Sequence, residues 1–199
     1  MIKLLKVTMS LVMALGIYSP GFAAQANTLA VKAAVPALNG MNITISRVVG
    51  TVFTPLTAND TLDFGTLTLD PVNHIFTAPF FFAVDVGVLN NNGTWTLQHT
   101  PSSVFNRTTG NTAQNLDNNI NVSFMQQVDS TTANPLAKLS FINSTKTITN
   151  TDIGTGFLRI FYGIGTGNPA SPDNPGVLPI PQNQTAGNYQ GSVVLSLTP

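Results

Sequence analysis

The side chains that could carry out catalysis are few in this sequence. It contains eight Asp and two His, and neither Glu nor Cys. A Ser-His-Asp arrangement would need His74 or His99, but no Ser lies in a G-x-S-x-G turn, and we predict that both His are plain surface or loop residues. Glycosidase chemistry needs two poised carboxylates, and Asp63 and Asp85 are the candidates on predicted strands. Asp85 interrupts a strongly apolar run, where we expect a hydrogen-bonded structural role. The sequence thus predicts a protein that is not an enzyme.

Oxygen ligands for a metal ion are also sparse. Asp117-Asn118-Asn119 and Asp173-Asn174 place carboxylates beside amides, but neither has the spacing of a calcium-binding loop. The absence of Cys excludes disulfides, thiolate metal sites and a lipidated N-terminal Cys. We therefore predict no metal and no cofactor.

A sugar-binding platform would need exposed aromatic rings. Trp95 together with Tyr162 or Tyr189 could form one. A Trp beside an Asn-Gly turn is more often a core residue, so we expect Trp95 to point inward.

The N-terminus has the features of a secretory signal peptide. Two Lys and a short apolar run, residues 11–17, precede the cleavage pattern Ala24-Gln25-Ala26. This run is too short to cross the roughly 30 Å of hydrocarbon in a bilayer. We assign residues 1–26 to the signal peptide, and we expect export through the periplasm to the cell surface.

The composition after the signal is typical of an all-β protein. The chain has 21 Asn and 26 Thr, residue types that favour turns and strands. Without Lys3 and Lys6, six basic residues (8 − 2) face eight Asp, which gives a net charge of −2. This balance provides no basic patch for nucleic acid and no reason to expect insertion into a membrane.

Alternating apolar residues predict eight or nine strands and no helix. We expect a single β-sandwich with Greek-key links. Residues 27–40 form an N-terminal extension, and residues 41–199 form the domain. Two of the predicted strands are Ile120–Gln127 and Phe157–Ile164. In the first, Ile120, Val122 and Phe124 share a face, and in the second Leu158, Ile160, Tyr162 and Ile164 do, with Phe157, Arg159 and Phe161 opposite.

Three other segments carry expectations that depend on turn chemistry. Asn91-Asn92-Gly93 predicts a hairpin over Phe80–His99, with Trp95 and Leu97 inward. Thr61–Leu69 predicts a strand bent at Gly65, and Pro101–Asn119 predicts mainly a long loop.

Both ends of the chain after the signal alternate in the manner of strands. The apolar face of the last strand carries Tyr189, Gly191, Val193, Leu195 and Leu197. The first strand, separated from the rest by Pro36 and Gly40, carries Leu29, Val31, Ala33 and Val35.

The last strand carries a resemblance to a known family. Ala186-Gly187-Asn188-Tyr189, followed by Gly191 and alternating aliphatic residues, resembles the final strand of chaperone–usher pilins. The closest likeness is to the alternate-chaperone (class 5) fimbrial subunits, and the chain is also similar to spore coat U-like secreted proteins. The close match covers about the last dozen residues, and Thr198 departs from the penultimate Tyr of many pilins.

The resemblance implies a role for each end of the chain. In that family the subunit is an immunoglobulin-like sandwich that lacks its last strand, and the N-terminal extension of the next subunit fills the groove beside the C-terminal strand. The resemblance therefore implies an immunoglobulin-like Greek-key β-sandwich that is incomplete and is completed by a donor strand. The inward residues from Tyr189 to Leu197 would line an acceptor groove, and Leu29 to Val35 would form the donor strand. Its partners would be copies of the same chain, with a periplasmic chaperone and an outer-membrane usher. The alternative is a monomeric carbohydrate-binding or adhesin module whose first strand pairs within its own sheet.

The signal-peptide assignment makes the first testable prediction. The mature protein should begin at Asn27, because cleavage follows the small residues Ala24 and Ala26. N-terminal sequencing of secreted protein tests this. A sequence that starts at Met1, or well inside the first strand, would contradict the assignment and the position of the donor strand.

Overall fold

Strands form nearly all the regular structure in the part of the chain that the structure describes. It is a computed structural model and describes residues 34, 39–57, 61–90, 93–108, 114–129, 131–167 and 173–199, without the side chains of residues 39 and 102–107. Twelve strands follow each other in these ranges: β1 Asn39–Val49, β2 Val52–Pro55, β3 Thr68–Asp70, β4 Ile75–Thr77, β5 Phe81–Asn90, β6 Thr96–Arg107, β7 Ile120–Gln127, β8 Ala133–Ser140, β9 Lys146–Thr149, β10 Phe157–Ile164, β11 Ile180–Pro181 and β12 Tyr189–Thr198. A 3-10 turn, Phe141–Asn143, precedes β9, and a one-turn helix, α1 Asn150–Ile153, follows it.

The strands form three antiparallel sheets. The larger sheet has the order β2-β1-β5-β10-β7-β8, and the smaller sheet has the order β12-β6-β9. A short side sheet contains β11, β4 and β3. The expected all-β sandwich is therefore observed.

The larger and smaller sheets cover one common core. In β7 and β10 every second residue is buried, from Ile120 to Phe124 and from Leu158 to Ile164. The smaller sheet contributes Leu97 and Ile148, each with none of its surface exposed, to the same cluster. Period-two alternation therefore gives each sheet one apolar face, and the two faces meet.

Two polar contacts show how the sheets are aligned. His99 of β6 bonds to Tyr162 of β10, so β6 lies over β10. The Gln126 side chain of β7 donates to the carbonyl of Ile153, which follows β9, so that side of the smaller sheet lies over β7. β12, on the opposite side of β6, therefore lies towards β5 and β1.

Six of the strands stand in the order of the immunoglobulin-like pattern. That pattern has one sheet of strands A, B, E and D and a second of C, F and G. Here β1, β5, β10 and β7 stand in the order A-B-E-D, and β6 with β12 stands as C-F. No strand in the described part of the chain occupies the G position beside β12.

The predicted hairpin over Phe80–His99 is wrong, although both of its strands exist. β5 pairs with β1 and β10, whereas β6 pairs with β12 and β9, so the chain passes from one sheet to the other. Gly93 has the positive φ of 112° that its turn chemistry predicts. Such a turn reverses the chain equally well between two sheets, which is why it did not identify the strand partners. Trp95 and Leu97 are buried, as predicted.

The expectations for two other segments are also wrong. β6 continues to Arg107 because it pairs with β12 along that length, so the first seven residues of Pro101–Asn119 are strand rather than loop. In Thr61–Leu69 only the last two residues belong to a strand. The Asp63 carboxylate accepts the amide of Gly65 at 2.7 Å, and Gly65 has φ 66°, which makes a turn there. The number of strands and the short α1 likewise exceed the prediction.

The β8 region and α1 show how polar residues end strands. β8 stops at Ser140, and Phe141 enters the core from the 3-10 turn. α1 begins with a capping box in which Asp152 accepts the amide of Thr149 at 2.8 Å. This hydrogen bond lowers the pKa of Asp152 below its ordinary value.

His99 is not a surface residue as predicted but a fully buried polar link between the sheets. Its Nδ1 lies 2.7 Å from the Ser144 carbonyl oxygen, and its Nε2 lies 2.7 Å from the Tyr162 hydroxyl. Since a carbonyl only accepts, Nδ1 carries the hydrogen, and Tyr162 donates to Nε2. Burial lowers the pKa of His99 to about 4, and burial raises the pKa of Tyr162.

The buried imidazole makes stability depend on pH. The unfolded chain takes up a proton near the ordinary pKa of 6.5, whereas folded His99 does so only near 4. Folding stability should therefore fall by roughly 3 kcal/mol as the pH drops from about 6.5 to about 4. Urea titrations across this range measure the loss. His99→Gln removes the titrating group, and its stability should change less over the same interval. Equal slopes for the two proteins would contradict the assignment.

Candidate functional site

The apolar face of the last strand is only half covered. Along β12 the side chains alternate between half-buried and exposed, and none is fully buried. The inward residues are those predicted to line the acceptor groove: Tyr189, Gly191, Val193, Leu195 and Leu197. We keep the name acceptor groove for these five residues.

A pair of leucines makes the difference between β12 and its neighbour clear. Leu97 of β6 and Leu197 of β12 lie directly opposite each other and therefore share the inward face. Leu97 has none of its surface exposed, but Leu197 remains partly exposed. The cover over the core thus ends along β12.

On β1 and β5, the strands that β12 faces, the inward side chains also become less buried towards one end. On the inward face of β1, Ile45 is buried, Ile43 is half-buried and Met41 is 37% exposed. Val88 of β5, the register partner of Met41, is also half-buried. The apolar surface left open therefore extends beyond β12 to the strands that it faces.

β12 also lies at the edge of its sheet. Among the described residues it pairs with β6 alone. The ladder is regular from Val193 to Thr198, whereas register shifts interrupt it between Gln190 and Val193. The shifts lie opposite the segment from Pro101 to Asn106, and Pro101 has no amide hydrogen to give to a ladder.

The other sheet edges carry features that discourage further pairing. β8 contains Pro135 and Lys138, β9 is four residues long and begins with Lys146, and β2 is four residues long and ends with Pro55. β12 has ten residues with neither Pro nor charge. It is therefore the least protected edge in the described part of the chain.

A cleft opens at the start of β12. Its volume is about 680 Å³, and residues 62–67 and 184–189 line much of it, including Phe64 and Leu67. Tyr189 donates from its hydroxyl to the Thr185 carbonyl at 2.6 Å, which holds the ring at this end of the groove. The half-covered surface along β12 thus begins at a concave site.

The predicted donor residues, Leu29, Val31, Ala33 and Val35, lie outside the described residues. β1 begins at Asn39, two residues inside the segment assigned to the extension. Of the two predicted sets, the structure therefore brings together the acceptor residues on one face.

The candidate catalytic residues do not form a catalytic arrangement in the described structure. Both ring nitrogens of buried His99 are engaged by Ser144 and Tyr162. His74 is exposed, as predicted, and hydrogen-bonds to Gln182 at 3.0 Å. Asp63 makes the turn at Gly65 rather than lying on a strand.

Asp85 has the structural role that its position in an apolar run suggested. Arg159, its register partner in β10, donates two hydrogen bonds to its carboxylate at 2.6 and 2.7 Å. The guanidinium lies over the rings of Phe53 and Phe157. Sequence reasoning did not identify Arg159 as the partner of Asp85. Its outward position in β10 follows from the alternation, but the pairing of β10 with β5 has no local sequence signal.

The residues considered for a metal site and for a sugar-binding platform have structural roles. Asp173 accepts hydrogen bonds from the Thr166 amide and from Asn121, and Asn119 binds the carbonyls of Leu178 and Pro179. No three acidic or His side chains of the described residues cluster tightly enough to hold a metal ion. The sugar platform is wrong for Trp95 and Tyr162, because both are buried in the core.

Comparison of the chain with protein-family models, with curated proteins and with solved structures found no match. Within the described ranges, no helix is both long enough and apolar enough to span a bilayer.

The leucine pair provides a direct test of the half-covered groove. Leu97→Ala should lower the free energy of unfolding by about 2–5 kcal/mol, as for a fully buried leucine. Leu197→Ala should cost only about 1 kcal/mol in the monomer, because its side chain already meets water on one side. Urea denaturation of the two variants measures the difference. Equal costs would show that the groove is covered.

Proposed function

We propose that the chain is a secreted structural subunit, without catalytic activity, of a fimbria or a similar surface fibre, and that subunits join by donor-strand complementation. The observation that supports this is the half-buried apolar face of β12 at an unprotected sheet edge. A folded domain that leaves such an edge open risks aggregation unless another strand takes it.

A strand from a second copy meets both needs of β12. Its backbone extends the sheet, and its alternating side chains cover the acceptor groove. The segment at 27–35 has the required alternation, with three large aliphatic residues and Ala33 on one face. Burial of Leu29, Val31 and Val35 would contribute about 1.5–3 kcal/mol each.

The scarcity of charge favours packing of identical subunits. Only 8% of the residues are charged, and the net charge without the signal peptide is only −2 (six basic residues and eight Asp). Copies of the chain therefore repel each other weakly, whereas a strongly charged subunit would need counter-charges at every contact.

Three variants of the secreted protein test the proposal. Deletion of residues 27–35 should leave a folded or chaperone-dependent domain that does not polymerise. Val31→Asp should also prevent assembly, since an unpaired carboxylate in the groove costs several kcal/mol. Lys32→Ser is the matched control, because position 32 is on the opposite face of the strand, and it should assemble normally. Size-exclusion chromatography and negative-stain microscopy report the outcome.

The same experiment separates exchange between copies from pairing within one copy. A wild-type protein that is monomeric at all concentrations, yet loses stability on deletion of 27–35, would show that the strand completes its own domain. Heat-stable polymers of the deletion variant would show that the first strand is not the donor.

A further inference from the structure

A second cleft lies on the outer face of the larger sheet, away from β12. Its volume is about 500 Å³, within the range of small-ligand sites. Phe81, Ser123 and Gly163 line it from three adjacent strands. They are out of phase with the buried residues Phe82, Val122 and Tyr162, so the cleft faces solvent rather than the core.

The floor of this cleft is apolar and partly aromatic. The rings of Phe81 and Phe161 meet edge to face, with centroids 5.7 Å apart, and Val48 beside them is completely buried. Gly163 has no side chain, which leaves the depression between the aromatic residues and the next strand. A Cβ at Gly163 would lie 3.5 Å from that of Phe81, an ordinary contact, so the depression does not result from a packing conflict.

One wall of the cleft is polar and held in a fixed arrangement. The Asp173 carboxylate accepts the Thr166 amide at 2.9 Å and the Asn121 side chain at 3.0 Å. Asn174 donates to the Ser123 hydroxyl at 2.9 Å and to the Val122 carbonyl at 3.0 Å. The Asp173 carboxylate also accepts the Gly167 amide. These three donors leave about one of its four lone-pair sites, and the Asn121 amide has a second hydrogen, so the wall presents an acceptor and a donor in fixed positions.

The charges around the cleft indicate what kind of ligand it would accept. Asp173 and Lys138 both line it and have opposite charges. The cleft therefore has no formal net charge, which favours a neutral ligand over an ion. A ligand that fits must place one apolar face on the phenylalanine rings and polar groups against the Asp173 wall.

We propose that this cleft binds a neutral pyranose sugar. A pyranose ring has a face of C–H groups, which packs on aromatic rings, and a rim of hydroxyls, which both donate and accept hydrogen bonds. Phe161 would carry the ring, and Asp173, Asn121 and Lys138 would bind the hydroxyls. This site lies on the other sheet from the acceptor groove and does not depend on the fibre proposal.

Ligand-detected NMR tests the proposal in any assembly state. Saturation transfer is measured from the secreted protein to the methyl glycosides of glucose, galactose, mannose and N-acetylglucosamine. At least one should show saturable transfer with a dissociation constant on the order of millimolar, as expected for one sugar in an open cleft. Methyl glucuronide and glucosamine, at neutral pH, serve as the charged comparison.

Three variants test whether the saturation transfer comes from sugar bound in this cleft. Gly163→Leu fills the depression from the solvent side and should abolish binding, and Phe161→Ala should weaken it at least tenfold. Val194→Leu adds similar bulk to the outer face of the smaller sheet, where Val194 is 47% exposed, and should leave binding unchanged. Thermal unfolding confirms that each variant is folded.

Three outcomes would overturn the proposal. They are no saturable transfer to any neutral glycoside, binding of charged sugars alone, and binding that survives both Gly163→Leu and Phe161→Ala. Gly163→Leu and Phe161→Ala should still assemble into fibres, because the cleft lies on the other sheet from the acceptor groove. If the sugar-binding proposal fails, the assembly proposal is therefore unaffected.

Discussion

Each strand of a sandwich has two requirements: its apolar face needs cover, and its edges need partners or protection. The inner strands of the larger sheet satisfy both, because β5 and β10 have neighbours on each side and lie under the smaller sheet. β12 satisfies them on one side only. Its half-buried face and the exposure of Met41 lie on the side where none of the described strands occupies the G position.

The sequence predicted the strands whose alternation is uninterrupted. Ile120–Gln127 and Phe157–Ile164 agree with the structure residue for residue, and the inward face of β12 was also assigned correctly. These predictions succeed because period-two alternation is a local property that requires no knowledge of the partner strand. The residues of the acceptor groove could be predicted from the sequence for the same reason.

The errors concern partners rather than strands. The Asn-Gly turn after β5 did not reveal that the chain changes sheets, because β5 is paired on both sides by segments distant in sequence. His99 looked like a loop residue, since the Tyr162 hydroxyl and the Ser144 carbonyl that permit its burial are 63 and 45 residues away. The outer cleft beside Gly163 is likewise assembled from separate segments and leaves no local pattern.

The interrupted ladder of β12 has a mechanical consequence. In a fibre built by strand addition, tension along the fibre axis acts along the added strand, so the hydrogen bonds beside it resist in shear and carry the force together. Hydrogen bonds that share the force in this way can form along the regular stretch of β12 from Val193 to Thr198. The irregular stretch from Gln190 to Val193 twists and bends the sheet, and bonds there would be loaded one at a time. The tensile strength of each junction would thus be set by about six residues at the end of the chain.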